Sequence, residues 1–242
     1  MITAETEIIA KRFGLEPIPK SVLRLTSLIA SQNADLEAIA GVIKEDPALT
    51  ERLLRLTPPP RDKTQRPSEE SAVQMALMRS GLSLIFLLAM GDLLGRALVH
   101  AFDIMLNLDL DAANPKDLSP IHDKHLMCEV NFRGKATGKI QLRLTEDSAR
   151  LLACRMLGVP PDSLSSTAEK DDAILELTHI VTGNFLSNLA DAGLTCPVTI
   201  PVVYRSTDFT IRSIPGGVCE RLAFRCSEAR VFLDISVNPW SD

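Results

Sequence analysis

Apolar residues recur every three or four positions through the first hundred residues, and past about residue 110 the pattern turns to alternation. Val22, Leu25, Leu28 and Ile29 follow Pro17 and Pro19 at helical spacing. Leu36, Ile39, Ala40 and Ile43 predict a second helix beginning near Asp35. Asp46-Pro47 then supplies an N-cap and a proline at the first helical position. The third helix it opens runs through Leu49, Leu53, Leu54 and Leu56, and Pro58-Pro59-Pro60 ends it. Residues 57–70 are a polar, proline-rich loop. A further helix passes from Ser68 through Val73, Ala76 and Leu77 to Gly81, and a long one is expected near Leu82–Leu106.

The alternating half begins with Met127–Phe132 and Gly138–Leu144, joined by a short glycine-containing link, which predicts a β-hairpin. A helix starting at Thr145 or Glu146 carries Ala149, Leu152, Ala153 and Met156 and stops at Gly158, with Pro160-Pro161 beyond it. A polar loop, 162–170, leads to another helix over about 168–190. Strand-like segments follow at Val198–Tyr204, Leu222–Cys226 and Val231–Val237. The outline is an all-α module over residues 1–90 followed by an α+β domain over 91–242, in the order β-β-α-α-β-β-β.

Charge and composition narrow the function. The chain has 242 residues, a net charge of −5 with acids and bases interspersed, and 4% aromatics. Phosphate neutralisation needs a basic face, so nucleic acid is not expected as a partner. Five cysteines, an odd set without C-x-x-C spacing, predict reduced thiols in a cytoplasmic protein. The N-terminus lacks the basic start and apolar core of a signal peptide. The apolar run Leu82–Met90 is about half the ~18 residues needed to cross a bilayer. No membrane segment is expected.

The chemistry concentrates on the helix over 168–190. At 100° per residue, Asp172, Glu176, His179, Gly183 and Ser187 share one narrow stripe, while Ile174, Leu177, Val181 and Phe185 lie opposite and are expected to pack against the sheet. A carboxylate and an imidazole three apart can be a catalytic pair, part of a metal site or a solvated surface pair. A metal would need further ligands, and His122-x-x-His125, in a Pro- and Asp-rich loop, is the remaining candidate; no metal or other cofactor is expected. A mid-helix glycine costs about 1 kcal/mol relative to alanine. Gly183 therefore serves either an approaching partner or close packing between helices.

A helix ending Ala101-Phe-Asp-Ile-Met-Leu106 precedes the hairpin with Phe132-Arg-Gly and Thr137-Gly-Lys-Ile-Gln-Leu142. Arg155-Met-Leu-Gly158 ends the next helix, and Asp172-Ala-Ile-Leu-Glu176-Leu-Thr-His179-Ile-Val-Thr-Gly183-Asn184 follows. In this order, over most of residues 91–240, these elements resemble the CheX/CheC family of chemotaxis phosphatases. The resemblance implies an antiparallel sheet packed against two long helices. It implies a partner, the aspartyl phosphate of a CheY-like receiver, which carries its own Mg²⁺. In that family the motif's Glu, here Glu176, engages the receiver's lysine, and an asparagine orients the attacking water. His179 stands at the asparagine's place, the one departure from the motif. A neutral imidazole offers one donor and one acceptor, so it can address a water. Its nitrogens sit elsewhere, however, and about 1 Å of misplacement costs on the order of 100-fold. A weakened phosphatase, a competent histidine variant or a non-catalytic receiver-binding adaptor is implied. Homodimers occur in the family, and strands 222–237 are the segments expected to pair across chains.

Pro17-Ile-Pro19-Lys-Ser-Val-Leu-Arg-Leu25 and Leu36-Glu-Ala-Ile-Ala-Gly-Val-Ile-Lys-Glu-Asp46-Pro47 through Leu56 resemble the start of an HDOD domain, a helical signalling module. The likeness weakens at Thr57-Pro-Pro-Pro, resumes at Ala72–Gly81, and implies a truncated module. With no His-Asp pair in residues 1–90, no hydrolase chemistry is expected there. Docking, dimerisation or signal input is the implied role.

Overall fold

The computed structural model describes residues 18–30, 35–57, 68–164, 166–226 and 229–238. The amphipathic segment 1–17, the Pro58–Pro60 stop and most of the 57–70 loop lie outside the described residues. Three short helices open the fold: α1 (Lys20–Ala30), α2 (Leu36–Lys44) and α3 (Pro47–Leu56). Asp35 caps α2 by accepting from the Glu37 amide, and Asp46 caps α3 by accepting from the amides of Ala48 and Leu49. Ser21 Oγ donates to Asp46 Oδ2 at 2.6 Å, tying α1 to that cap.

Helix α4 (Glu69–Leu106) is the spine. Gly81 has φ 66° and ψ 176°, so the helix predicted to stop there does break its backbone, and the next one resumes directly across the kink. Asn107, left-handed at φ 51°, ends it. By length and composition, Gly81–Leu106 could cross a bilayer, a longer apolar stretch than the Leu82–Met90 run suggests. Its most apolar window is 72% buried inside the protein, so its side chains already have an apolar environment. Leu87, Leu88, Leu93, Leu94, Leu98 and Phe102 are all inaccessible to solvent. Residue 90, the expected module boundary, falls within this helix.

Six strands form one antiparallel sheet: β1 (Asp111–Ala113), β2 (His125–Arg133), β3 (Thr137–Thr145), β4 (Val202–Ser206), β5 (Val218–Arg225) and β6 (Arg230–Asn238), in the order β1-β5-β6-β3-β2-β4. The predicted hairpin is β2–β3, with Val130 opposite Ile140 and Cys128 opposite Leu142. Helix α5 (Glu146–Leu157) follows β3 directly, capped by Thr145 and stopped by Gly158 at φ 65°. Helix α6 (Thr167–Asp191) follows a 3₁₀ turn at Pro161–Ser163. Sheet residues such as Leu126, Phe132, Leu142, Leu233 and Ile235 join α4, α5 and α6 in one continuous core with α1–α3. The architecture is α+β, as the pattern and the resemblance led one to expect.

Strands β5 and β6 lie inside the sheet, β6 between β3 and β5, and β5 between β6 and β1. β6 is paired on both sides, while β1 covers only Ala223–Arg225 of β5, so Val218–Leu222 have one edge without a strand partner among the described residues. At the sheet's other end β4 is bonded only to β2, so it too has an edge without a strand partner among the described residues.

The sheet's other face carries a buried polar network. Asp234 accepts from Arg143 Nε at 2.7 Å and from Arg221 Nε and Nη2 at 2.6 Å each. Arg143 also donates to Gln141 and to the carbonyl of Asp208. Segment 207–217 covers this network: Arg221 stacks on the Phe209 ring at 3.9 Å, and the Pro215-Gly216-Gly217 turn is fixed by Gly217 N–H donating to Ile214 O. A Cβ on Gly217 would lie 2.7 Å from the Val237 carbonyl oxygen, a close approach that requires glycine.

His125 is fully buried beside this network, its Nε2 3.1 Å from Arg143 Nη1 and its Nδ1 3.3 Å from the Asp123 carbonyl. Facing a guanidinium, Nε2 must accept, so the ring is neutral with its proton on Nδ1. Burial pushes the imidazole below its ordinary value near 6.5; the Asp123 bond opposes this, and Arg143 and Arg221 reinforce it. The unfolded chain then takes up the proton first as pH falls. The stabilisation is fully present above 6.5 and declines as pH drops below that value toward the lowered folded pKa. Urea midpoints should therefore fall between pH 7 and about 5.5 in the wild type, and His125→Gln should flatten that slope. An equal slope in both proteins would remove His125 as its source.

Candidate functional site

Helix α6 begins where Ser166 Oγ accepts from the Glu169 amide. Ile174, Leu177, Val181, Phe185 and Leu189 are buried, as the stripe analysis predicts. They lie in the core shared with the sheet and with α4 and α5, so the two helices are partners alongside the expected sheet. The Phe185 and Phe132 rings meet edge to face, centroids 5.9 Å apart. Thr178 and Thr182 are buried too, their hydroxyls donating to the carbonyls four residues back.

The start of α6 is held by an ion-pair cluster that the sequence reading did not anticipate. Arg205 of β4 donates from Nη1 and Nη2 to the two oxygens of Asp171, at 3.1 and 2.9 Å, and from Nε to Glu146 Oε1 at 2.6 Å. Lys170 pairs with the other Glu146 oxygen. Burial alone would raise the Glu146 carboxyl, but the bonds from Lys170 and Arg205 hold it below its ordinary value. Asp171 pulls the Arg205 guanidinium to a raised pKa, against its partial burial. One strand, one helix start and the next helix are thereby pinned together, which fixes the rotation of α6. Nothing local marks this cluster in the sequence, because Arg205 lies 34 residues from Asp171.

With that rotation fixed, Asp172, Glu176, His179 and Ser187 are exposed and Gly183 is half-exposed between them. At 1.5 Å per residue the stripe spans about 22 Å. Asp172, Glu176 and His179 make no hydrogen bond or ion pair with any described residue, and Glu176 and His179 do not pair with each other. A Cβ built on Gly183 meets nothing within 4 Å. Helix packing inside the chain therefore does not require that glycine, and its open face leaves room for an approaching surface. Asn184 and Asn188 lie off the stripe, on a flank turned toward α3 and α4.

The two histidines of His122-x-x-His125 do not converge: His122 is exposed, and the His125 ring is engaged by Arg143 and Asp123. Among the described residues no group of three His, Cys, Asp or Glu side chains is placed to hold a metal ion. All five cysteines are free thiols; burial pushes the Cys128 thiol up to about 11, against a weak bond from Thr178.

Comparison with known proteins adds to this geometry. Residues 126–225 match the family model described as chemotaxis phosphatase CheX, and residues 15–112 match that of the HDOD domain. The HDOD match runs through α4 as far as β1, beyond the boundary expected from sequence. Among solved structures the chain is similar to a chemotaxis protein CheX from Vibrio vulnificus, at 22% identity and a TM-score of 0.53, over 62% of this chain and 99% of that one. It is also similar to CheX from Desulfovibrio desulfuricans, at 17% identity and a TM-score of 0.52 over 62% and 99%. A CheC-like superfamily protein from Shewanella sp. PV-4 is similar at 21% identity and a TM-score of 0.53 over 62% and 97%. At such identities the likeness is one of fold. Among curated proteins no relative was found. The chain therefore pairs a CheX-like α+β domain with an HDOD-like segment ahead of it.

Proposed function

We propose that α6 docks a phosphorylated CheY-like receiver along Asp172, Glu176, His179, Gly183 and Ser187. Glu176 takes the receiver's conserved lysine, and His179 enters the phosphorylation site and positions a water. The reaction is hydrolysis of the acyl phosphate: water adds to phosphorus, the bond to the receiver's aspartate oxygen breaks, and inorganic phosphate leaves. Mg²⁺ on the receiver supplies the charge compensation, so this chain needs no cofactor of its own. The observation that supports this is the state of Glu176 and His179, exposed on a fixed helix and unpaired among the described residues. A carboxylate without an internal partner keeps its attraction for an incoming ammonium.

The imidazole makes the activity weak, because its nitrogens do not coincide with a carboxamide's. The second reading, an adaptor that binds the receiver and leaves the phosphoryl group intact, is favoured by the same substitution. Either role places the protein in the cytoplasm with the receivers it serves. The HDOD segment then provides docking or signal input.

Glu176→Ala should weaken binding of a receiver loaded with a small phosphodonor by about tenfold, measured by calorimetry or fluorescence anisotropy. The value is that of a charge-assisted contact losing about 1.4 kcal/mol. Unchanged affinity in both Glu176→Ala and His179→Ala would defeat the reading.

One edge open to a second copy is that of β4. Val198, Ile200 and Val202 are 41%, 85% and 58% exposed beside its unpaired edge. We propose that a second copy covers this edge and its apolar row. Light scattering should give a dimer for the wild type and a monomer for Val202→Lys; a wild-type monomer at about 100 µM removes this proposal.

A further inference from the structure

A cleft of about 1080 Å³ lies where the HDOD segment meets the CheX-like domain. Helix α3 forms one wall with Arg52 and Arg55, α6 forms another with Asn184, Ser187 and Asn188, and α4 and β5 lie between them. The α3 wall is built on a buried acid. Glu220 of β5 has a side chain only 1% exposed and accepts from Arg52 Nε at 3.3 Å, Arg52 Nη2 at 2.6 Å and Arg55 Nη2 at 3.3 Å. Gly91 permits this, since a Cβ there would lie 2.5 Å from Arg52 Nη2 and 2.9 Å from Glu220 Oε2.

The two guanidiniums offer more donors than Glu220 can use. Each has five N–H groups, and Arg52 Nη1 and Arg55 Nε and Nη1 have no acceptor among the described residues. Their side chains are 16% and 28% exposed, and the donors left over still reach solvent through the cleft. Oxygen acceptors arriving from the cleft would satisfy them, and paired guanidiniums suit carboxylate or phosphate oxygens.

The opposite wall has a different character. Asn184 and Asn188 stand one turn apart, half-buried, their carboxamides without a hydrogen-bond partner among the described residues. His100 Nδ1, on α4, is buried and likewise unpartnered. These neutral donors and acceptors match the edge of a heterocycle. Leu222 and Phe224 provide apolar surface between the two polar ends. Two acids also line the cleft: Asp92 is engaged by Arg96 at 2.7 Å, and Glu51 is exposed at the rim. The site thus separates an anion-seeking end from a neutral hydrogen-bonding end.

We propose that this cleft binds a nucleotide-sized organic anion, its acidic group on Arg52 and Arg55 and its ring edge on Asn184, Asn188 and His100. The volume suits such a ligand, since small-molecule sites span about 300–1,000 Å³. The inference stands apart from receiver docking, with which the cleft shares only Ser187.

Titration calorimetry of the full chain tests it, with AMP, GMP, their neutral nucleosides and inorganic phosphate as probes. At least one nucleotide should bind with a micromolar Kd, its nucleoside and inorganic phosphate each at least tenfold more weakly. Arg55→Ala and Asn188→Ala should each weaken nucleotide binding about tenfold while melting within a few degrees of the wild type. The proposal is overturned if no nucleotide binds below about 1 mM, if nucleosides or phosphate alone bind as tightly, or if neither substitution changes the affinity.

Discussion

Replacing His179 with asparagine is expected to raise phosphate release from a loaded receiver about 100-fold, with receiver affinity changed by less than about threefold. The side chain is exposed and contacts no described partner, so the exchange disturbs nothing in the fold. Affinity rests mainly on Glu176 and the rest of the stripe, which the substitution leaves alone. Rate depends on where one donor and one acceptor hold water against phosphorus, and about 1 Å of error there is worth that factor. The helix that presents the residue is already fixed by Arg205, Asp171 and Glu146, so the new carboxamide inherits a rigid mount. Single-turnover phosphate release with wild type and His179→Asn is the measurement. If the wild type is fast and His179→Asn slows it, histidine is a working replacement and the weak-activity reading fails. If neither protein releases phosphate above background, the adaptor reading stands alone.

Asp234→Ala is expected to cost about 3–5 kcal/mol of stability, the range for breaking a buried ion pair on one side only. Asp234 is 3% exposed and anchors two guanidiniums, Arg143 and Arg221. Without it both cations stay between the sheet and segment 207–217 with their carboxylate gone. Arg143 is itself almost fully buried, so solvent cannot replace the partner. By contrast, the solvent-exposed pair of Arg212 and Asp208, in the same region, should contribute little to stability. Urea unfolding followed by circular dichroism compares the two. A loss under about 1 kcal/mol for Asp234→Ala would show that the network does not hold the outer face of the sheet.

Much of this molecule is legible in its pattern of apolar residues, and the exceptions share a cause. Helices α2, α3 and α5 begin at Asp35, Asp46 and Thr145 as their capping chemistry predicts, because a cap is decided by neighbours in sequence. The β2–β3 hairpin is legible for the same reason. The segment expected as a strand over Val198–Tyr204 forms its ladder only from Val202, with one isolated bridge from Val198 to Phe132. Pro197 and Pro201 lack the N–H groups that a longer ladder needs. Three-residue β1 has too few positions to show alternation. The stripe of α6 follows from periodicity, but the groups that fix its rotation do not. Arg205 with Asp171, and Arg52 with Glu220 at a separation of 168 residues, depend on topology, which no local window contains.

Helix α4 has a consequence for how such a chain can be inherited. Its residues past the Gly81 kink line the cores of both modules, with Leu87 and Leu88 buried just before residue 90 and Leu93, Leu94 and Leu98 buried just after it. A recombination joint at that point would leave each half with a torn helix and an exposed row of leucines. A joint outside Glu69–Leu106 would leave this helix whole. The HDOD segment and the CheX-like domain thus share one helix, and cutting it opens the core on both sides at once.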